Sequence, residues 1–474
     1  MPTLWRILPW LALLALVPLD VGLLATPLQT LFAHIPLNYN EGWNAFHTLR
    51  LRTGGPLYPP PSPAVFINYP PLSFYVIAAI ERLTGDDIFA GRLVALVSLG
   101  VVTLNVALAA RSLGVSRVLA AIAAAAFFAF VAIYYADYVA MNDPQWLGHA
   151  FQTTGLVILL RRNRTDFATL LIVALLFVAG GLVKQNLVAL PLALTLWLAF
   201  EDRPALCRWL LIGLATVAVA AAACLALWGR NFVDQVLLSE RQFWTYGLSF
   251  LAQGLALRLA PFIVFAAAGA TTMWRERRVR LIGIYLLVAL VAGVAILCIE
   301  GVSYSALFDL TIATMIGAPL LFDWLARRVA TVSWMTSAAP SLAALMFTLP
   351  ILVVAPHAQD NQRDFALDLA RQTEWDDTIA RIASAPGPVA CETLALCYWA
   401  GRPSEIDFFN FGQVASLHPE PDQSLTAQIA GRRLALIQQD SPDGSSRMSA
   451  SFNAAIAANY SAISTAPTVL LVPK

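Results

Sequence analysis

Apolar residues occur along this chain in long blocks separated by short polar connections. The blocks run for about 18–25 residues, enough for an α-helix to cross a hydrocarbon core ~30 Å thick. Because a helix satisfies its own backbone hydrogen bonds in lipid, the pattern predicts a polytopic helical membrane protein. About eleven spans are predicted, at residues 5–31, 88–110, 117–137, 144–160, 167–184, 186–200, 209–228, 256–273, 281–299, 306–326 and 332–355.

The charge of the connections predicts the orientation. The first block is longer than a signal-peptide core and lacks a convincing cleavage site, so it is interpreted as a retained helix. Every second connection is short and basic, which is typical of the cytoplasmic side and predicts a cytoplasmic N-terminus in the cell (inner) membrane. The basic residues are Arg6, Arg111, Arg117, Arg161, Arg162, Arg164, Arg203, Arg208, Arg275, Arg277, Arg278, Arg280, Arg327 and Arg328.

The remaining connections are longer and carry acids and aromatics. The first of them, residues 33–87, and another at about 229–253, which includes Trp244, are predicted to lie outside the cytoplasm. An odd number of spans places the C-terminal segment, 357–474, outside as well. The predicted domains are therefore a transmembrane domain, 1–356, and an extracytoplasmic (periplasmic) domain, 357–474.

The C-terminal segment has the pattern of a small α/β domain. Residues 364–383 have helical spacing, and residues 433–438 and 468–472 are typical of strands. The predicted fold class is thus an all-α polytopic membrane protein with a small α/β C-terminal domain. Cys391 and Cys397 could form a disulfide outside the cytoplasm, although the sequence does not determine their geometry.

Composition agrees with a membrane protein and excludes one function class. The chain is 59% hydrophobic and 12% charged, whereas about a quarter of the residues in soluble domains are charged. A formal net charge of +1 argues against nucleic acid as a partner; membrane lipids are the expected surroundings.

Ionisable residues in or near the spans collect at the outer side. Such residues are costly in lipid and mark functional sites. A transporter tends instead to place polar groups near the midplane, so the clustering predicts a cavity at the outer surface. The residues are Glu41, Arg92, Asp137, Asp143, Lys184 and Glu300.

Two of these acids are candidate catalytic groups. Glu41 lies a few residues beyond the first span among aromatics, where a carboxylate can take a proton from an acceptor hydroxyl. A solvated loop acid or a helix cap would have the same appearance. Asp143 precedes Pro144 at the start of the fourth span, and this pair is equally typical of a helix N-terminus.

Two cations are candidates for holding a phosphate. Lys184 closes the fifth span and Arg92 lies near the start of the second. Each could also place its charge at the membrane interface while its stem stays in lipid. Nearby, Tyr69-Pro70-Pro71-Leu72 opens an apolar stretch too short to span, which predicts an interfacial helix.

The sequence contains no zinc motif, P-loop, dinucleotide fingerprint or serine-nucleophile elbow. Its five histidines lack ligand spacing. We therefore predict no metal site and no required cofactor, while a divalent cation bridging carboxylate and phosphate remains an open alternative.

Together these motifs resemble the GT-C superfamily of membrane glycosyltransferases, in particular the branch with protein O-mannosyltransferases and lipid A aminoarabinose transferases. The resemblance covers about the first 330 residues. The residues that carry it are Glu41-Gly42, Tyr69-Pro-Pro-Leu72, Gly91-Arg-Leu93, Asn142-Asp143 and Lys184.

The resemblance implies a role for each candidate. Glu41 takes the place of the general base and Asp143 that of the second acid, while Lys184 and Arg92 match positions that hold the donor phosphate. The substrate cavity is expected to include Asn40, Tyr69, Asn142 and Tyr304. The sequence departs from the family where the first-loop motif is often a pair of acids, because Asn40 stands in place of one of them. The 301–304 turn also lacks an Asn that is common in a late outer loop.

The function implied is transfer of a sugar from a polyprenyl-phosphate donor to a lipid, glycan or protein acceptor hydroxyl, with inversion at the anomeric carbon. One alternative is a lipid or sugar transporter or flippase, which predicts an even span count or internal repeats. Another is a lipid-linked glycan polymerase or ligase, in which the dominant outer loop usually lies between late spans. Here the dominant loop follows the first span, which favours the transferase.

Overall fold

Every predicted span coincides with a helix in the computed structural model, which describes residues 2–60, 66–243, 245–250, 256–329 and 338–474. Part of the first-loop proline run, Trp244 and the start of the eleventh predicted span lie outside the described residues. The helices up to the last span are α1 (Pro2–Thr30), α2 (Tyr39–Arg52), α3 (Leu72–Thr84), α4 (Asp87–Ser112), α5 (Arg117–Tyr134), α6 (Gln145–Arg162), α7 (Phe167–Val183), α8 (Ala189–Glu201), α9 (Arg203–Phe232), α10 (Tyr246–Phe250), α11 (Ala256–Thr272), α12 (Arg277–Leu297), α13 (Phe308–Val329) and α14 (Ala339–Val354).

By length and composition, seven helices of the described chain can cross a membrane, and three further apolar helices are shorter. The seven comprise α1, α4, α5, α9, α12, α13 and α14. Helix α6 is not among the seven. Its buried face carries Gln145, His149 and Gln152, which lower its apolar content. The prediction of a polytopic helical membrane protein is confirmed.

The predicted basic connections meet at one end of the bundle. The Arg278 Nη1 donates hydrogen bonds to the carbonyl oxygens of Ser112, at 2.6 Å, and Leu160, at 3.4 Å. Similarly, Arg327 Nη2 donates to the carbonyl oxygen of Gly114 at 2.5 Å. Since α4 begins beside the first outer loop and ends here, the basic connections and that loop lie at opposite ends. We call the end that carries the first outer loop, residues 33–87, the outer end.

The first outer loop is folded around α2 and α3. The predicted interfacial segment is helical, and its C-cap Gly85 has a φ of 80°, a left-handed conformation that glycine adopts without strain. Arg52 of α2 forms ion pairs with Glu81 of α3 and Asp87 of α4, each at 3.1 Å. These contacts hold α2 at the outer end of the bundle.

The C-terminal segment forms the predicted α/β domain. Its helices are α15 (Ala358–Ala370), α16 (Gln372–Ala383), α17 (Leu394–Trp399), α18 (Phe408–Leu417), α19 (Pro419–Ala430) and α20 (Ala450–Asn459). Its strands are β1 (Val389–Cys391), β2 (Leu436–Gln439), β3 (Tyr460–Ser464) and β4 (Val469–Pro473). The sheet order is β1-β2-β4-β3, with β1 parallel to β2 and the other pairs antiparallel. The predicted helical stretch is divided between α15 and α16, both predicted strands are present, and the predicted fold class is confirmed.

Helix α15 follows α14 through a 3₁₀ turn, Ala355–His357, and still contacts the bundle. The Asn361 Nδ2 donates to the carbonyl oxygen of Ile133 at 2.9 Å, and Gln362 Nε2 to that of Gly22 at 3.2 Å. The domain boundary after residue 356 stays a prediction, since packing against the bundle continues beyond it.

Helix α17 joins the C-terminal domain to the first outer loop. A disulfide links Cys391 of β1 to Cys397 of α17, with Cα atoms 5.9 Å apart, so the pairing that the sequence left open is present. The Trp399 Nε1 donates to Asp86 Oδ2 at 3.2 Å, and the Asp87 amide donates to the Tyr398 hydroxyl at 2.8 Å. The domain therefore lies over the outer end of α4.

Candidate active site

A cavity of about 340 Å³ lies at the outer end, between the first outer loop, the helix connections and the C-terminal domain. Polar and aromatic side chains line most of it, and Val188, Ile296 and Ile299 add an apolar side. The polar and aromatic lining residues are Tyr39, Asn40, Trp43, Asn68, Tyr69, Tyr138, Lys184, Gln185, Asn186, Ser239, Arg241, Ser303, Ser305, Phe409 and Asn410.

Glu41 and Arg92 form a buried ion pair outside this cavity. The Arg92 Nε and Nη2 donate to the two Glu41 oxygens at 2.7 and 2.8 Å. The remaining guanidinium hydrogens go to the carbonyl oxygens of Thr30, Ala33 and Ile35. All five donors of the guanidinium are thereby used. In this arrangement Arg92 has no donor left for a phosphate.

The Glu41 carboxylate is equally saturated. Its oxygens also accept the backbone amides of Leu37, at 2.9 Å, and Asn142, at 3.1 Å, and the residue is 0% exposed. A carboxylate with four hydrogen bonds and no solvent contact is poorly suited to receive a proton from substrate. Its geometry is that of a structural anchor between α2 and α4.

Asn142 belongs to the same anchor. Its side-chain amide donates to the carbonyl oxygen of Glu41 at 3.2 Å, and it does not line the cavity. A Cβ added at Gly91 would overlap the Asn142 side chain, so the glycine allows α4 to approach this loop. The glycine of the Gly91-Arg-Leu93 motif, one of the motifs that carry the resemblance, therefore also has a role in packing.

Asp143 and Lys184 form a second ion pair, beside the cavity. The Lys184 Nζ lies 3.3 and 3.4 Å from the two Asp143 oxygens. Asp143 Oδ1 also accepts the Gln145 amide at 2.8 Å where α6 starts. Asp143 therefore takes part in starting the helix, as its position before Pro144 predicts, and also contacts a residue that lines the cavity.

Asn40 is hydrogen-bonded to this second ion pair. Its Nδ2 donates to Asp143 Oδ2 at 3.2 Å, and its side chain lines the cavity. Consecutive residues therefore belong to different ion pairs: Asn40 bonds Asp143 of the Lys184 pair, and Asn142 bonds Glu41 of the Arg92 pair. Asn40, which stands in place of one acid of the family's first-loop motif, is the residue of that motif that lines the cavity.

The other two predicted cavity residues differ. Tyr69 lines the cavity, and Lys184 Nζ lies 4.6 Å from its ring centroid. Tyr304 does not line it; its ring is 5.9 Å from that of Tyr135, although its neighbours Ser303 and Ser305 do. Burial raises the pKa of the Tyr69 phenol, so this hydroxyl stays a hydrogen-bond donor.

Arg241 is a cavity cation that the sequence did not single out as a site residue. It follows α9 and donates from Nη1 to the Glu300 carbonyl oxygen at 3.2 Å. Burial lowers the pKa of its guanidinium, yet arginine remains charged. The available sequence signal for Arg241 was its position among the acidic and aromatic residues of the connection at about 229–253. Together with Lys184 it gives the lining of the cavity two cationic side chains.

Among the described residues, no group of three or more His, Cys, Asp or Glu side chains is placed to hold a metal ion. The predictions that no metal site exists and no cofactor is required are not tested by this observation and stay predictions.

Comparison with known proteins agrees with the resemblance. Residues 68–228 match the family described as dolichyl-phosphate-mannose-protein mannosyltransferase. No curated protein sequence is significantly similar to the chain.

Solved structures share the fold over nearly the whole chain. ArnT from Cupriavidus metallidurans in the apo state has a TM-score of 0.61 at 15% identity, covering 96% of this chain and 97% of that one. The same enzyme bound to undecaprenyl phosphate gives 0.56 at 16%, covering 95% and 97%. The apo oligosaccharyltransferase of Archaeoglobus fulgidus gives 0.57 at 12%, covering 92% and 70%.

The chain therefore shares its fold with ArnT and with the archaeal oligosaccharyltransferase. Together with the mannosyltransferase family match, the shared fold confirms the predicted class of protein, a membrane glycosyltransferase.

Proposed function

We propose that this chain transfers a sugar from a polyprenyl-phosphate donor to a hydroxyl of a lipid, glycan or protein acceptor outside the cytoplasm. The observation that carries the proposal is the cationic outer cavity with Asp143 directly behind Lys184. ArnT, which has the same fold, has been crystallised with undecaprenyl phosphate. A sugar on such a carrier needs no nucleotide-sugar pool on the outer side.

The donor phosphate is assigned to Lys184 and Arg241. Both cations line the cavity, and an anion between them would be stabilised by charge-assisted hydrogen bonds. Arg241 replaces Arg92 in the role predicted from the resemblance, because the donors of Arg92 are already used. Apolar Val188 and Ile296 can contact the lipid part of the donor.

Asp143 is assigned the role of general base. Its contacts with Lys184, at 3.3 and 3.4 Å, are longer than the roughly 2.7–2.9 Å of a strong charge-assisted bond. A donor phosphate can therefore draw the Lys184 ammonium into the cavity, which leaves each Asp143 oxygen with a single hydrogen bond, from the Gln145 amide and from Asn40 Nδ2, and able to accept the substrate hydroxyl. Glu41, the predicted base, instead serves with Arg92 to position Asn40.

The reaction then balances in one displacement. Asp143 takes the proton of the acceptor hydroxyl, the oxygen attacks the anomeric carbon, and the bond from that carbon to the phosphate oxygen breaks. Polyprenyl phosphate leaves with its negative charge stabilised by Lys184 and Arg241. A single displacement inverts the configuration at the anomeric carbon.

The orientation is part of the proposal. The basic connections at one end support a cytoplasmic location for that end, in keeping with the positive-inside rule. A disulfide in the C-terminal domain supports an oxidising compartment for the other end. The cavity would then open to the periplasmic side.

The experiment is Asp143→Asn in membranes supplied with labelled polyprenyl-phosphate sugars. Loss of the base should lower transfer by about 10²–10⁴-fold, at unchanged protein level. The matched control is Asp137→Asn, which should keep wild-type transfer. Asp137 is a nearby half-buried acid that accepts from Asn38 at 2.8 Å and does not line the cavity.

Two results would contradict the proposal at different levels. Wild-type transfer by Asp143→Asn would remove Asp143 as the base. Absence of transfer by the wild type from every polyprenyl-phosphate sugar would contradict the function itself.

A further inference from the structure

Two residues of the C-terminal domain, Phe409 and Asn410, line the cavity. They lie in the first turn of α18, which starts at Phe408. This part of the domain therefore does more than cover the membrane helices. It supplies one wall of the site that also contains Lys184 and Arg241.

The orientation of the Asn410 side chain is fixed by Asp407. The Asp407 carboxylate accepts the Asn410 backbone amide at 3.1 Å and its Nδ2 at 2.7 Å. It also accepts the hydroxyl of Tyr39 from the first outer loop. Turning the amide over would bring two oxygens together. The carbonyl oxygen of Asn410 therefore points away from Asp407.

An aromatic pair stands beside that amide. The rings of Tyr39 and Phe409 are 4.8 Å apart. The Arg447 guanidinium lies 5.3 Å from the Tyr39 centroid and 4.7 Å from that of Phe409, so cation–π contacts hold both rings. Arg447 does not itself line the cavity. The wall thus combines an apolar surface with a neutral hydrogen-bond acceptor.

We propose that this wall is a hydroxyl-recognising subsite, in which the Asn410 Oδ1 accepts a hydrogen bond from a sugar or polyol hydroxyl that packs against Tyr39 and Phe409. The inference rests on the proposed function and adds a site for hydroxyl groups to the phosphate site formed by Lys184 and Arg241. A neutral acceptor suits a hydroxyl and offers nothing to a phosphate, whose oxygens are themselves acceptors. The polyhydroxylated group belongs either to the donor sugar or to the acceptor.

The test compares three probes on the purified full-length protein. They are undecaprenyl phosphate, undecaprenyl phosphate mannose, and methyl mannoside added in the presence of undecaprenyl phosphate. Asn410→Leu removes the acceptor oxygen, and loss of one hydrogen bond predicts a roughly tenfold loss of affinity for the probe that makes it.

The two sources of the hydroxyl give different results. If the donor sugar occupies the subsite, affinity for the mannose-bearing lipid falls about tenfold while affinity for undecaprenyl phosphate is unchanged. If the acceptor occupies it, the affinities for both lipids are unchanged and that for methyl mannoside falls by the same factor.

Two further variants keep the test decisive. Asn459→Leu makes the same change in the same domain at a residue that bonds Ala455 and does not line the cavity, and it should leave all three affinities unchanged. Asn410→Gln keeps the amide but displaces its oxygen, so it should repeat the selective loss even if the leucine variant fails to fold.

An equal loss of affinity for both lipids in a folded Asn410 variant would overturn the subsite, as would no change in any of the three affinities. A wild-type protein that binds neither lipid would contradict the proposed function instead. The two failures are therefore distinguishable.

Discussion

At the scale of single residues, neighbours in the chain take part in two different ion pairs, one buried in the protein and one beside the cavity. Glu41 pairs with Arg92 in the protein interior and accepts from Asn142, whereas Asp143 pairs with Lys184 beside the cavity and accepts from Asn40. The sequence predicted one outer cavity for these acids and cations; the structure places Asn40 and Lys184 in its lining and the Glu41–Arg92 pair outside it. Which member of each dipeptide joins which ion pair depends on the local direction of the backbone, which a short motif does not encode.

The Glu41–Arg92 pair leads to a stability prediction. Glu41→Gln removes the charge that compensates the fully buried Arg92 guanidinium, so we expect a loss of about 3–5 kcal/mol in the free energy of unfolding. Thermal unfolding of the purified protein measures it, alongside Asp143→Asn, which should lose transfer with a smaller change in stability.

The same variant also tests the role that the resemblance implies. If Glu41→Gln keeps wild-type stability and abolishes transfer, Glu41 is the base after all. Adding Arg92→Met to Glu41→Gln should recover part of the stability, because it removes the unpaired charge. Full recovery is not expected, since three backbone carbonyls lose their donors.

At the scale of elements, the important contact is the packing of α17 against α2. A Cβ at Gly42 would overlap the backbone of Leu394 and Ala395, so the helices touch backbone to backbone. The disulfide from β1 and the Tyr398 and Trp399 contacts hold α17 in place. This arrangement explains why the Glu41-Gly42 motif needs a glycine in this chain.

Gly42→Ala should therefore move α2 away from α17. Overpacking of this kind costs about 1–3 kcal/mol, and displacement of Asn40 should reduce transfer as well. The measurements are thermal unfolding and transfer from a labelled polyprenyl-phosphate sugar. Gly100→Ala in α4, where an added Cβ meets nothing within 4 Å, is the matched control. Equal behaviour of the two variants would mean that the α2–α17 contact does not position the site.

At the scale of the whole molecule, the two ends of the helix bundle carry different structures. Basic connections meet at one end, while the first outer loop, the cavity and the C-terminal domain meet at the other. Apolar helices join the two ends. The arrangement suits the proposed function, because it puts a site for a water-exposed acceptor within reach of a donor that resides in lipid.

Cysteine labelling in intact cells checks the proposed orientation. Thr53 at the end of α2, Arg164 between α6 and α7, and Asp443 in the C-terminal domain are all exposed. With an impermeant maleimide, we expect Thr53→Cys and Asp443→Cys to react from the outside. Arg164→Cys lies among the basic connections and should react only after permeabilisation.

The labelling uses a Cys207→Ser background, because Cys207 is an exposed free cysteine whereas Cys224 and Cys298 are buried. The background protein without an added cysteine is the control and should stay unlabelled. Reaction of positions 53 and 164 from the same side would contradict the proposed orientation.

The sequence by itself determined the architecture. Block length and hydropathy are local properties, so the helices of the spans, the basic end and the α/β character of the C-terminal domain followed from them. The residue types of the site were also visible, because acids and cations are rare in apolar blocks and therefore conspicuous.

Only the tertiary structure decided which of those residues face the cavity. Arg241, Phe409 and Asn410 come from a separate connection and a separate domain, and only the packing of the C-terminal domain over α2 brings them to Lys184. The location of Glu41 in the interior and of Asp143 beside the cavity has the same cause. Backbone direction and long-range packing depend on the whole set of contacts, and no local pattern records them.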